Sequence, residues 1–173
     1  MTDLSLTILT EKPEDATAIE RLHERTFGPG RYVRASERIR EKMAHQLDLS
    51  YTARIGTLLV GSVRVTRICI GDTPALLLGP LTIEPPFRDR GIGKAMMERA
   101  LGDAKQQGHR LVVLVGDETY YKRVGFKRVP GGAIKMPGPA DPARILAAEL
   151  TEGALKDVTG VVRPDWDSQK EVQ

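Results

Sequence analysis

Cysteine occurs once in these 173 residues, at position 69, which excludes an internal disulfide and most cysteine-based metal sites. In the run Val65-Thr66-Arg67-Ile68-Cys69-Ile70 it reads as a small strand residue, and no metal site is expected. Aromatic residues make up only 5% of the chain, and the basic residues are scattered. Nucleic-acid binding needs a basic stripe or a stacking platform, so that class of partner is not expected. No apolar run approaches the roughly 18 residues of a membrane helix, and MTDLSLTILTEKPED lacks the basic-then-apolar layout of a signal peptide. A soluble cytoplasmic protein with no membrane contact is expected, as monomer or homodimer. Repeats are lacking too. The length suits a single domain over 1–173, with a core from about 4 to 162 and a polar tail over 163–173. Neither charge dominates: 26 Lys and Arg against 23 Asp and Glu leave a net +3, a mild excess that suits an acidic small molecule.

Glycine is plentiful, and two glycines stand at a telling place. Within ALLLGPLTIEPPFRDRGIGKAMMERAL, residues 75–101, an apolar strand ends at Ile83, Pro85-Pro86 forms a tight exit, and an amphipathic helix opens near Gly91. A strand feeding a helix N-terminus through glycines brings free backbone N–H groups to one point, where the helix dipole adds partial positive charge. Arg88-Asp89-Arg90-Gly91-Ile92-Gly93-Lys94-Ala95 is therefore an anion site suited to phosphate, with Arg88, Arg90 and Lys94 supplying full charges. The GxxxxGK[ST] loop fails because Ala95 follows Lys94, and GxGxxG fails because Met96 takes the third glycine position.

The rest of the chain divides by periodicity. Leu4 to Ile8 alternates as a half-buried strand, and Pro13 opens a helix carrying Ile19, Leu22, His23 and Phe27 on one face, ended by Gly28-Pro29-Gly30. Ser36 caps a second expected helix, through about His45. Residues 50–55, 57–70 and 74–83 read as an antiparallel meander broken at Gly56 and Gly71-Asp72-Thr73. The helix after Gly91 presents Ile92, Ala95, Met96, Ala100 and Ala104, and Gly108 stops it. Arg110 to Val115 is a continuous apolar strand, so strand, helix and strand imply parallel pairing with the strand ending at Ile83. Phe126 to Val129 is a further strand. Asp141-Pro142 announces a helix through Leu150, and a last strand spans about Leu155 to Val162, with Trp166 the one large apolar anchor of the tail.

Between these elements lies a second motif, Gly116-Asp117-Glu118-Thr119-Tyr120-Tyr121-Lys122-Arg123-Val124-Gly125-Phe126. Together with Arg-x-x-Gly-x-Gly entering a helix, it resembles the two signatures of the GNAT N-acetyltransferase superfamily. The Gly116-Asp117 and Tyr120-Tyr121 pairs and Met136-Pro137-Gly138-Pro139 are more narrowly similar to the YhbS-like branch. The resemblance implies an α/β (α+β) single-domain fold: a mixed, mostly antiparallel sheet with a central splayed parallel pair and helices on both faces. It implies acetyl-CoA as co-substrate, its diphosphate on the turn from Arg88 to Ala95 and its pantetheine arm on backbone groups of Leu81, Thr82 and Ile83. Tyr121 would be the general acid beside the thioester sulfur. One position departs from the pattern: relatives carry an asparagine seven residues before the tyrosine, where this chain has Leu114, so recognition there falls to backbone groups.

The implied function is transfer of an acetyl group from acetyl-CoA to a primary amine by direct attack in a ternary complex. A lysine-like amine costs about 4–5 kcal/mol to deprotonate at pH 7, so a base is useful. Glu84 is the first candidate, ahead of Asp117, which could instead cap the short helix carrying Tyr121, and Glu118. The alternative is a non-catalytic acyl-CoA-binding or sensing module.

Overall fold

The computed structural model describes residues 5–27, 44–138 and 140–165. The glycine stop at 28–30, the helix expected from Ser36 up to position 43, Pro139 and Trp166 lie outside them.

Strand β1 (Leu6–Thr10) leads through a 3-10 turn at Pro13–Asp15 into α1 (Ala16–Phe27). The meander follows as β2 (Tyr51–Ile55), β3 (Leu58–Ile70) and β4 (Thr73–Ile83), within a residue or so of its sequence expectation. Then come α2 (Ile92–Gln106), β5 (Leu111–Val115), the one-turn α3 (Glu118–Tyr121), β6 (Lys127–Arg128), β7 (Ile134–Lys135), β8 (Ile145–Glu149) and β9 (Gly160–Pro164). The main sheet runs β1-β2-β3-β4-β5-β8-β6. All neighbours are antiparallel except β4 and β5, which pair parallel at Leu76↔Val112 and Leu77↔Val113.

That parallel contact is short, and its shortness makes the site. Beyond Leu77 the two strands share no further pairs, although β4 runs on to Ile83 and β5 to Val115. The β3–β4 register slips at the same level, from Val65↔Leu78 to Val63↔Leu81, so Gly79 and Pro80 form a bulge opposite Arg64. Pro80 has no ladder N–H to give, and a bulge bends its strand. A gap therefore opens between the C-terminal halves of β4 and β5.

Each sheet face has its own cover. Ile92, Met96, Met97, Ala100 and Ala104 of α2 pack on Tyr51, Val63, Leu76, Leu78, Val112 and Leu114. Each of the two fully buried methionines contributes about 1.5–3 kcal/mol by transfer from water. Leu59 meets Ile19 and Leu22 of α1 on the other face, and farther along Leu77, Val113 and Ala147 meet Val129, Val158 and Val162.

Two sequence expectations fail here. Asp141 does cap as foreseen, accepting from the Ala143 N–H at 2.9 Å, but the helical turn ends after Arg144 and Ile145–Glu149 is a strand. Residues 145–149 fill the slot beside β5, from Leu111↔Glu149 to Val115↔Ile145. Leu146 and Ala148 face the α2 side and Ile145 and Ala147 the other, so a helix there would leave one edge of β5 unpaired. The last strand also starts later, at Gly160, and takes in Arg163 and Pro164, which pair with Cys69 and Ile68 of β3. Residues 151–157 are turns.

Candidate active site

Strand β4 leaves the sheet through a 3-10 turn at Pro85–Phe87, and the chain then adopts left-handed conformations at Asp89 (φ 64) and Gly91 (φ 80) before α2 begins. A left-handed aspartate is uncommon and tends to occur where a turn serves a site. The first bond of α2 runs from the Ala95 N–H to the Gly91 carbonyl at 3.0 Å. The N–H groups of Ile92, Gly93 and Lys94 thus have no partner within the helix, while that of Ala95 is committed.

These amides face a cleft of about 910 Å³, within the range of small-molecule sites. Its walls bring together Leu81, Thr82, Ile83, Arg88, Asp89, Gly91, Ile92, Gly93, Lys94 and Tyr121 from two sequence-distant motifs. Arg90 turns instead over the Phe87 ring, 5.3 Å from its centroid, and neither it nor Ala95 lines the cleft. Arg88 also donates to the Ile83 carbonyl at 3.3 Å, tying the turn to the end of β4.

Tyr121 is set by packing. Its ring lies over Gly116, where an added Cβ would come within 2.9 Å of the Tyr121 Cδ2. Edge contacts with Phe126 (6.0 Å) and Tyr120 (5.0 Å) hold the other sides. Gly116 is pinned in turn, its N–H bonded to the Arg144 carbonyl at 2.9 Å. The Tyr120 ring also lines the cleft, with its hydroxyl directly against Gly93. Burial pushes the Tyr120 phenol above its ordinary pKa, with the Asp89 carboxylate adding to the rise and Arg123 opposing it.

The carboxylates expected as bases are all engaged. Glu84 is absent from the cleft wall; its carboxylate receives two N–H groups of Arg25, the Nε one at 2.9 Å, and so bridges α1 to the end of β4. Asp117 lines the cleft but caps α3, accepting from the Thr119 N–H at 3.0 Å, and Glu118 accepts from the Arg128 N–H at 3.3 Å. Asp89 and Asp117 are the acids on the wall, set against Arg88, Lys94, Arg123 and Arg144. Arg123 and Arg144 were not foreseen. Arg123, two residues past Tyr121, could have been found by proximity in sequence, whereas Arg144 arrives only because β8 lies beside β5. Among the described residues no cluster of three or more His, Cys, Asp or Glu could hold a metal ion.

A mixed sheet whose central parallel pair, β4 and β5, splays open beside an amide-bearing helix start is the GNAT fold. Residues 48–128, which hold both motifs and make up just under half of the chain, match the acetyltransferase (GNAT) domain model. The fold is shared with the GNAT family N-acetyltransferase YhbS from Escherichia coli, solved in complex with CoA, at a TM-score of 0.81 and 22% identity over 98% of this chain and 94% of that one. A GNAT family acetyltransferase from Brucella melitensis, solved with acetyl-CoA, is 26% identical with a TM-score of 0.63 over 88% of this chain and 99% of that one. A 62-residue stretch is 44% identical to an uncharacterized N-acetyltransferase of Methanocaldococcus jannaschii, covering 31% of this chain but only 27% of that protein.

Proposed function

We propose that this protein moves an acetyl group from acetyl-CoA to a primary amine of a small molecule or peptide, by direct attack in a ternary complex. One observation carries the reading: the free amides of Ile92, Gly93 and Lys94 and the ring of Tyr121 line one cleft, at the end where β4 and β5 part. The relatives solved with CoA and acetyl-CoA support the choice of donor.

In this reading the diphosphate rests on the α2 amides, with Arg88 and Lys94 balancing its charge. The pantetheine arm follows Leu81, Thr82 and Ile83, and a backbone N–H in the gap polarises the thioester carbonyl. The amine nitrogen attacks that carbon, the C–S bond breaks, and Tyr121 hydrogen-bonds the departing sulfur. Full transfer from an ordinary phenol to an alkyl thiolate runs about 1.5 units, or roughly 2 kcal/mol, uphill, so the hydrogen bond matters more than the proton. With Glu84 bound to Arg25, the amine proton leaves to solvent or the amine arrives neutral, and kcat/KM should rise with pH along the acceptor's own titration.

The engagement of all three carboxylates favours a second reading, an acyl-CoA-binding module without turnover. Incubation with acetyl-CoA and a panel of amines, peptides and aminoglycosides, read as thiol release, separates the two. Release on any amine supports the enzyme; tight CoA binding with none supports the module.

A further inference from the structure

We infer that Tyr120 positions the donor: its hydroxyl donates a hydrogen bond to the diphosphate seated at the N-terminus of α2. The inference rests on the acyl-CoA reading and adds to it a role for Tyr120, which stands within the second motif without one.

The phenol oxygen lies against Gly93, so closely that a Cβ at that position would collide with it, with Leu81 Cδ2 next nearest at 3.5 Å. An anion bound by the Gly93 and Lys94 amides is thus within reach of the same oxygen. Among the described residues no hydrogen bond engages this hydroxyl. Every hydroxyl can both give and take, but burial and the nearby Asp89 carboxylate keep this one protonated, and a neutral phenol attracts a diphosphate where a phenolate would repel it. The ring cannot drift freely: it stands at 90° to Tyr121 with centroids 5.0 Å apart, and the Arg123 guanidinium lies 6.0 Å from its centroid. Seating the diphosphate therefore also steadies the neighbouring ring that the chemistry uses. Gly93 has a double task on this view, admitting the anion and leaving room for the hydroxyl that meets it.

The test is Tyr120→Phe, which keeps the ring against Tyr121 and removes only the donor. Three compounds are compared with wild type: CoA, dephospho-CoA, which retains the diphosphate, and S-acetylpantetheine, which lacks it. The expected result is a Kd for CoA and for dephospho-CoA raised about tenfold, the loss of one hydrogen bond to a charged group, with kcat/KM for S-acetylpantetheine unchanged. Unchanged affinity for CoA would overturn the assignment. An equal loss with S-acetylpantetheine would overturn it as well, since that result makes Tyr120 a support for Tyr121 alone. If the wild type binds no CoA, the acyl-CoA reading itself fails and takes this one with it.

Discussion

Gly93 and Gly116 carry much of the site by what they lack. A Gly93→Asp change would push a side chain into the Tyr120 hydroxyl and set a carboxylate where an anion should sit. CoA affinity should fall by roughly 100-fold or more, measured by calorimetry, as expected when a charged contact turns repulsive. Gly116→Ala is subtler. The new methyl meets the Tyr121 ring, and the backbone cannot retreat because the Gly116 N–H is bonded to Arg144. We expect kcat to fall about tenfold with CoA affinity within about threefold, since a small misplacement near the chemistry is expensive. Tyr121→Phe should likewise spare CoA binding while slowing turnover by roughly 100-fold; full activity would remove the tyrosine from the mechanism. The glycine spacing at 91 and 93 and the tyrosine followed by Gly-Phe are legible in the bare chain. The left-handed Asp89 and the Tyr120 contact with Gly93 are not, because they join residues whose proximity depends on how α2 and α3 meet.

Among the elements, α1 is joined to the sheet by ions as well as by Ile19 and Leu22. Arg64 of β3, almost wholly buried, donates to Glu11 at 3.0 and 3.3 Å and to Glu20 of α1 at 3.2 Å, while His45 reaches Glu11 at 2.6 Å. Burial alone would raise the Glu11 carboxyl, yet its hydrogen bonds from His45 and Arg64 hold it below the ordinary value. A carboxyl whose folded pKa is depressed stabilises the fold above its unfolded pKa, near 4.3, and that stability is lost as pH falls through the folded value. Urea midpoints should therefore drop below about pH 4.5, and the drop should shrink in Glu11→Gln. At pH 7 that variant should lose about 3 kcal/mol, because it leaves a buried guanidinium poorly matched. Glu11→Leu with Arg64→Met should recover most of the loss. β8 shows the limit of local reasoning: Asp141-Pro142 starts a helix as its residues dictate, and the empty edge of β5 ends it one turn later.

For the molecule as a whole, a ligand held by both motifs should tie α2, β4 and α3 together. CoA at about 100 times its Kd should add about 2.7 kcal/mol of stability, a Tm rise of roughly 5–10 °C for a chain of this size. Differential scanning fluorimetry reads this directly, and Gly93→Asp should abolish it. By itself the chain determined the meander, the helix after Gly91, the parallel step to β5 and the two motifs, because each depends on periodicity or on glycine and tyrosine at short spacing. Only the tertiary structure decided that β8 inserts between β5 and β6, that Arg144 joins the cleft, that Arg25 claims Glu84, and that Tyr120 covers Gly93. Those outcomes turn on which polar group or strand edge finds a partner far along the chain, and such competition is settled in space rather than in sequence.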